Sequence, residues 1–263
     1  MKKINLVMSS YKDEHLFDTF SHMVDYENTE IFFYRKNDEL EPGQKIKNGV
    51  YTEIANYGSC DYAFFNYIVD NYDNLADVNI FTKLNTDFPN RHEVFQNCKD
   101  YDFYECGAYN VSQIWYDGQK HDITGIKTRH SNINPHDIRK TKDNRGELHD
   151  YVGNGDFKED WFRVVFGDDI KEPFEICTYG KGPCFSVSRD LIRRHKKETY
   201  EHFIQMFYPF NSWNREIGAK HWKTDDIKTQ THEIGRHYHD ELLRFYRTLF
   251  TYGISEDYKV NQV

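Results

Sequence analysis

Three short apolar runs, each followed by a polar loop, constrain most strongly what this chain can fold into. They are Ile4 to Met8 (INLVM), Glu30 to Tyr34 (EIFFY) and Val78 to Thr82 (VNIFT). Their length and β-rich composition fit strands buried within a sheet. Helical spacing fills the intervals. Leu16, Phe17, Phe20, Met23 and Val24 recur on one face of HLFDTFSHMVDY, and Phe64, Phe65, Ile68, Val69 and Tyr72 form a second stripe. Such alternation predicts an α/β fold, a mainly parallel sheet flanked by helices. The segment from Leu40 to Asn48, with Pro42 and Gly43, reads as loop.

Later segments are less regular. Residues 117–160 lack apolar periodicity, and a stretch of that length predicts a long loop or lid. Order returns at WFRVVFG and at GKGPCFSVSRDLIRRH, a Gly/Pro loop, a short β-like piece and a helix beginning near Arg189. A helical pattern from Thr231 to Phe250 closes the chain, with Leu242, Leu243, Phe245, Tyr246, Leu249 and Phe250 as its packing face. We expect a single domain over 1–263, with no fixed-period repeat.

Composition sets the class. Mean hydropathy is −0.87 and net charge −9, values that a disordered chain could share, but 17% of the residues are aromatic. Disordered chains lack such content, and buried rings remove large areas from water, so the expectation is a folded core rich in Phe and Tyr. The acidic balance (pI ≈ 5.8) argues against non-specific nucleic-acid binding. Five cysteines without a CxxC pair point to a reducing compartment and away from a cysteine zinc site. The apolar stretch of MKKINLVMSS is shorter than the roughly 7–15 residues of a secretory signal core. No run approaches the ~18 residues of a membrane span. A cytoplasmic protein is expected.

Ligands of open α/β sheets bind outside the carboxyl ends of the strands. The loops SSYKDE, RKND and KLNTD leave those ends and offer Ser9, Tyr11, Asp13, Glu14, Lys36, Asn85 and Asp87. The stretch NYGSCD precedes the second helical stripe. Its free N–H groups suit an anion, but local spacing favours a plain helix cap by Ser59 or Asp61. Asn85 and Asp87, two apart after the third strand, could grip Mn²⁺ or Mg²⁺ against a diphosphate. Asp100 and Asp102 match D-x-D better by letters, yet no clear strand precedes them. In HEIGRHYHDE, His232 and His237 are five apart, about 140° around a helix, which excludes a local H-E-x-x-H zinc site. Cys184 lacks a nucleophile signature, and no G-x-S-x-G, Walker A or G-x-G-x-x-G sequence is present.

Several of these residues together carry a resemblance. Tyr11-Lys12-Asp13-Glu14, Tyr34-Arg35-Lys36, then Asn56, Gly58, Ile68, Tyr72-Asp73, Leu75, Asp77 and Phe81 resemble the pattern of domain-of-unknown-function family 3431. The late set Gly182, Cys184, Phe185, Val187, Ser188, Arg189 and Ile192 fits it as well. Where that family has G-R-E, this chain has Gly58-Ser59-Cys60. More distantly, Asn56, Gly58, Ala63 and Asn66, followed by NIFTKLNTD, are similar to the order of parts in GT-A glycosyltransferases.

This GT-A-like resemblance implies a nucleotide-binding half (1–90), an acceptor-side half (161–263) and transfer from a nucleotide-sugar donor to a surface or capsular glycan acceptor. It implies that Ser9, Tyr11, Asp13, Glu14, Lys36, Asn56 and Gly58 face the nucleotide and that Asn85 and Asp87 hold the metal. Glu233 or Glu241 would be the general base. The alternatives are a non-catalytic glycan- or partner-binding protein on the same fold, and a metal-independent transferase of another group onto a sugar.

Overall fold

The computed structural model describes residues 1–12, 28–49, 51–84, 88–105, 109–110, 113–116, 119–122, 178–179, 184–208, 246–247 and 249–261. By contact density the chain resolves into two compact units, Met1–Gly107 with Gly180–Gln262, and Ala108–Tyr179 with Val263.

The first unit is built on a seven-stranded sheet. Its strands are β1 (Ile4–Ser10), β2 (Thr29–Asn37), β3 (Lys45–Asn48), β4 (Tyr51–Ala55), β5 (Val78–Lys83) and β6 (Phe103–Glu105), with Cys184–Ser188 returning to join them. The second unit has β7 (Tyr109–Asn110) paired antiparallel to β10 (Thr178–Tyr179). It also has a hairpin of β8 (Gln113–Tyr116) and β9 (Gln119–Asp122). With Cys184–Ser188 as β11, the large sheet runs in the order β3-β4-β2-β1-β5-β11-β6. Its helices are α1 (Ser59–Asn71), α2 (Phe88–Asn97), α3 (Arg189–Arg193) and α4 (Lys197–Met206).

All three strands expected from the apolar runs are present, each somewhat longer than its run. The expected mainly parallel sheet is in fact mixed. The β1–β2, β1–β5 and β2–β4 pairs are parallel, whereas β3–β4, β5–β11 and β6–β11 are antiparallel. Parallel pairing is confined to the centre, where crossovers are long enough to bring the chain back. The segment read as loop from Leu40 to Asn48 contains β3, whose residues are all exposed. A polar edge strand has no apolar alternation to betray it, and its lysines discourage pairing with another chain. Strand β9 likewise occupies the start of the expected 117–160 loop. The register sets Tyr116 opposite Gln119, the spacing of a two-residue hairpin connection. The rest of that loop, the helical pattern HLFDTFSHMVDY, and most of the pattern from Thr231 to Tyr246 lie outside the described residues.

The two faces of the sheet are packed differently. On one, Val94 of α2 and Cys98 just past its end join a cluster with Leu6, Met8, Ile80, Leu84 and Cys184. On the other lies α1, in which every residue from Cys60 to Ile68 is buried. A helix buried all round needs cover on its far side, and α4 provides it: Phe65 meets Phe203 with ring centroids 5.1 Å apart. The C-terminal segment adds Tyr246, 4.5 Å from the Phe185 ring on β11. Under α1, the Asn5 amide donates to the Tyr67 hydroxyl at 2.6 Å, which in turn donates to Asn79 Oδ1 at 2.7 Å. Buried amides opposite a helix need such partners.

Strand β6 would be a bare edge, but the end of the chain covers it. Val260 pairs parallel with Phe103, and Lys259 N donates to Asp102 Oδ2 at 2.9 Å. The Arg247 guanidinium donates to Asn261, whose side chain spans the backbone of Glu105, accepting from its N–H at 3.2 Å and donating to its carbonyl at 3.0 Å.

Replacing Tyr67 by Phe removes the hydroxyl shared by two buried amides. The expected loss of unfolding free energy in urea is about 1–3 kcal/mol; an unchanged midpoint would show that the network carries no stability.

Candidate functional site

The strand order fixes where a ligand crevice can form. From β1 the chain builds outward through β2 to β4, then crosses back to β5 on the other side of β1. The reversal lies between β1 and β5, and in open α/β sheets the carboxyl ends at such a point accept ligands. Strand β6 is antiparallel to β11, which is antiparallel to β5, so β6 also ends at this edge.

Three chain segments are tied together there by one carboxylate, Asp38, just past β2. It accepts from the Tyr11 hydroxyl, after β1, at 2.9 Å and from the Asn56 amide, after β4, at 2.7 Å. Lys12 adds an ion pair at 3.7 Å, and its ammonium lies 4.6 Å from the Tyr11 ring centroid. Partial burial alone would raise the Asp38 carboxyl, but the hydrogen bonds from Asn56 and Tyr11 and the nearby Lys12 charge hold it below its usual range.

Ser9 and Lys36 lie within strands rather than loops, since β1 runs to Ser10 and β2 to Asn37. Ser9 is opposite both Tyr34 and Lys83, so Ser9, Lys83 and (two residues beyond Tyr34) Lys36 project to the α1 face. Lys36 is buried, and its Nζ donates to the Tyr57 carbonyl at 2.6 Å. Burial pushes its amine down to about 7; Cys60 and Asp61 oppose that shift and Lys83 adds to it.

NYGSCD has a more specific structure than a simple cap. The N-cap position is Gly58, which has no side chain to cap with, and it takes the left-handed conformation at φ 53°. A Cβ there would lie 2.3 Å from the Phe207 ring, so close approach of α4 also demands glycine. Ser59 follows with φ 50°. Asp61, in the first turn, is buried and accepts from the Tyr246 hydroxyl at 2.5 Å. Asn56 ties its own loop to Asp38 rather than capping α1.

Other candidates fall elsewhere. Asp13, Glu14, Asn85, Asp87, Glu233 and Glu241 lie outside the described residues. Asp100 and Asp102 precede β6, at the opposite end of the sheet from the edge described above. Cys184 is fully buried, which pushes its thiol up to about 12 and makes it unreactive. Ser188 caps α3 and Arg189 pairs with Asp77 at 3.3 Å, so the described part of the late set, Cys184 to Arg189, holds the fold together. Among the described residues, no group of three or more His, Cys, Asp or Glu is placed to hold a metal ion, and no helix is long and apolar enough to cross a membrane.

Sequence reasoning missed Asp38, Lys83 and Glu105. The first two flank strands already recognised, and their position at carboxyl ends was the available signal. Glu105 gave none, because the short strand FYE shows no alternation. Its carboxyl is buried with Oε2 lacking a hydrogen-bond partner among the described residues. Burial pushes it up to about 8, against the pull of Arg247, so it is a protonated acid at neutral pH.

The Glu105 shift has a testable sign. The folded state holds this proton between its ordinary value near 4.5 and about 8, where the unfolded chain has lost it, so wild-type stability falls as pH rises through that window. Glu105→Gln should therefore gain in melting temperature relative to wild type as pH rises from 5 to 8.5. A difference independent of pH would contradict the assignment.

No curated protein and no solved structure matches the chain. The family model described as "Protein of unknown function (DUF3431)" matches residues 6–224. That match spans more than half of the sequence and includes most of β1, β2 to β6, β11 and the Asp38 tether, and the chain belongs to the DUF3431 family.

Proposed function

We propose that the carboxyl edge binds a nucleotide-sugar donor and that the protein transfers the sugar to a glycan acceptor, in the manner of a GT-A-like glycosyltransferase. The observation that carries this is the Asp38 tether, which gathers the segments after β1, β2 and β4 beside the crossover point of the sheet. A nucleotide needs such a composite wall: a ring or amide for base and ribose, and cations for the diphosphate. Tyr11 and Asn56 supply the first; Lys36 and Lys83, with the Ser9 hydroxyl between their strands, supply the second. Gly58 shapes the wall through its backbone.

In the transfer, an acceptor hydroxyl attacks the anomeric carbon and the bond from sugar to diphosphate breaks. The hydroxyl proton passes to a carboxylate base, for which Glu233 and Glu241 remain the candidates. Asn85 and Asp87 would be the residues to hold Mn²⁺ or Mg²⁺.

One feature favours the non-catalytic alternative. Asp38, the carboxylate nearest the gathered loops, is committed to Tyr11, Asn56 and Lys12 and is not free to act as a base.

Titration calorimetry with nucleoside diphosphates and nucleotide sugars, with and without Mn²⁺, tests the proposal. Wild type should bind at least one, and Asp38→Ala should weaken that binding by about tenfold or more, roughly 1.4 kcal/mol, through loss of the tether. Nucleotide binding with transfer of sugar to an acceptor supports the transferase; a folded protein that binds none of the nucleotides would sink that reading and leave the glycan- or partner-binding one.

A further inference from the structure

Lys36 is a charged group with fewer partners than donors. It is 6% exposed, its Nζ donates to the Tyr57 carbonyl at 2.6 Å, and it makes no other hydrogen bond or ion pair among the described residues. An ammonium has three N–H donors, and burying a charge without partners is costly. The groups that face it do not fill the gap. From α1, the Asp61 Oδ1 is taken by the Tyr246 hydroxyl at 2.5 Å, and the Cys60 thiol lies against the same oxygen at 3.9 Å. From β5, Lys83 brings a second positive charge, and from β1 Ser9 brings a hydroxyl. The unliganded arrangement therefore suits a neutral amine donating once to Tyr57, which agrees with an amine that titrates near 7.

An incoming anion reverses that balance. It supplies acceptors for the unused N–H groups and offsets Lys83, both of which favour the charged form. Two lysines with a hydroxyl between their strands match an extended anion with charge at two centres better than a single carboxylate. We infer that Lys36 is the residue that recognises the diphosphate of the ligand, and that entry of the diphosphate is coupled to uptake of one proton by Lys36. The ligand class rests on the nucleotide-sugar proposal; the proton coupling rests on Lys36 and its surroundings alone.

The test is calorimetry at pH 8 with UDP, GDP and inorganic pyrophosphate, repeated in two buffers of different ionisation enthalpy. At this pH UDP and GDP have lost their last phosphate proton, pyrophosphate keeps one, and Lys36 is mostly neutral, so wild type should take up close to one proton per nucleotide bound. Lys36→Arg, which keeps a permanent charge, should bind with no uptake. Lys36→Met removes a buried amine with an unused donor and should fold at least as well as wild type, yet bind each probe about tenfold more weakly or worse. Binding without proton uptake, or undiminished binding by Lys36→Met, overturns the inference and leaves the nucleotide proposal standing. Pyrophosphate bound with uptake but neither nucleotide bound supports the inference and counts against that proposal. A folded wild type that binds none of the three overturns the inference.

Discussion

Helix α1 is enclosed on every side, by the sheet below, by α4 above and by the C-terminal segment at its flank, and most of the first unit is arranged to meet that demand. Nine consecutive residues from Cys60 to Ile68 are buried. Such a helix cannot shift without opening aromatic contacts on several neighbours at once, among them Phe81, Phe185 and Phe203. Its polar atoms must also be matched in place. Tyr67 reaches the amides of Asn5 and Asn79, and Asp61 receives Tyr246. The start of α1 is thereby fixed against the carboxyl edge of the sheet.

That fixed start explains the chemistry gathered at the edge. Gly58 takes a left-handed turn directly against Phe207, so the chain leaving β4 can enter α1 only along one path. The same turn brings the Tyr57 carbonyl onto Lys36 and Asn56 onto Asp38. A buried lysine, a tethering aspartate and a buried acid at the end of β6 are expensive to maintain in a fold held by aromatic packing. Groups displaced from their ordinary titration range in this way cluster at sites that bind or react.

Much of the central architecture was legible from residues. Strands β1 and β5, buried along almost their whole length, announced themselves as apolar runs, as did the middle of β2. Strand β3 did not, because it is an exposed edge, and β6 did not, because three residues carry too little pattern. Strand β11 was legible as a strand but not as a direction, which is seen only in its pairing with β5 and β6. At the edge, Lys36 was legible from its place after the second apolar run, and Asn56 only through the family resemblance. Asp38 was passed over although it sits in the same loop, since nothing local distinguishes a tether from a solvated carboxylate. NYGSCD read best as a cap, whereas its glycine answers to Phe207, far along the chain. Contacts of that kind are invisible to spacing.

The central claim is that the segments around Tyr11, Asp38 and Asn56 form one ligand-binding wall. Amide hydrogen exchange with and without a saturating nucleotide sugar measures this most directly. Exchange should slow together in residues 9–12, 36–38 and 56–58, with no change in β3, at the far edge of the same sheet. Protection confined to β3 or to the β8–β9 hairpin, with those three segments unaffected, would contradict the account.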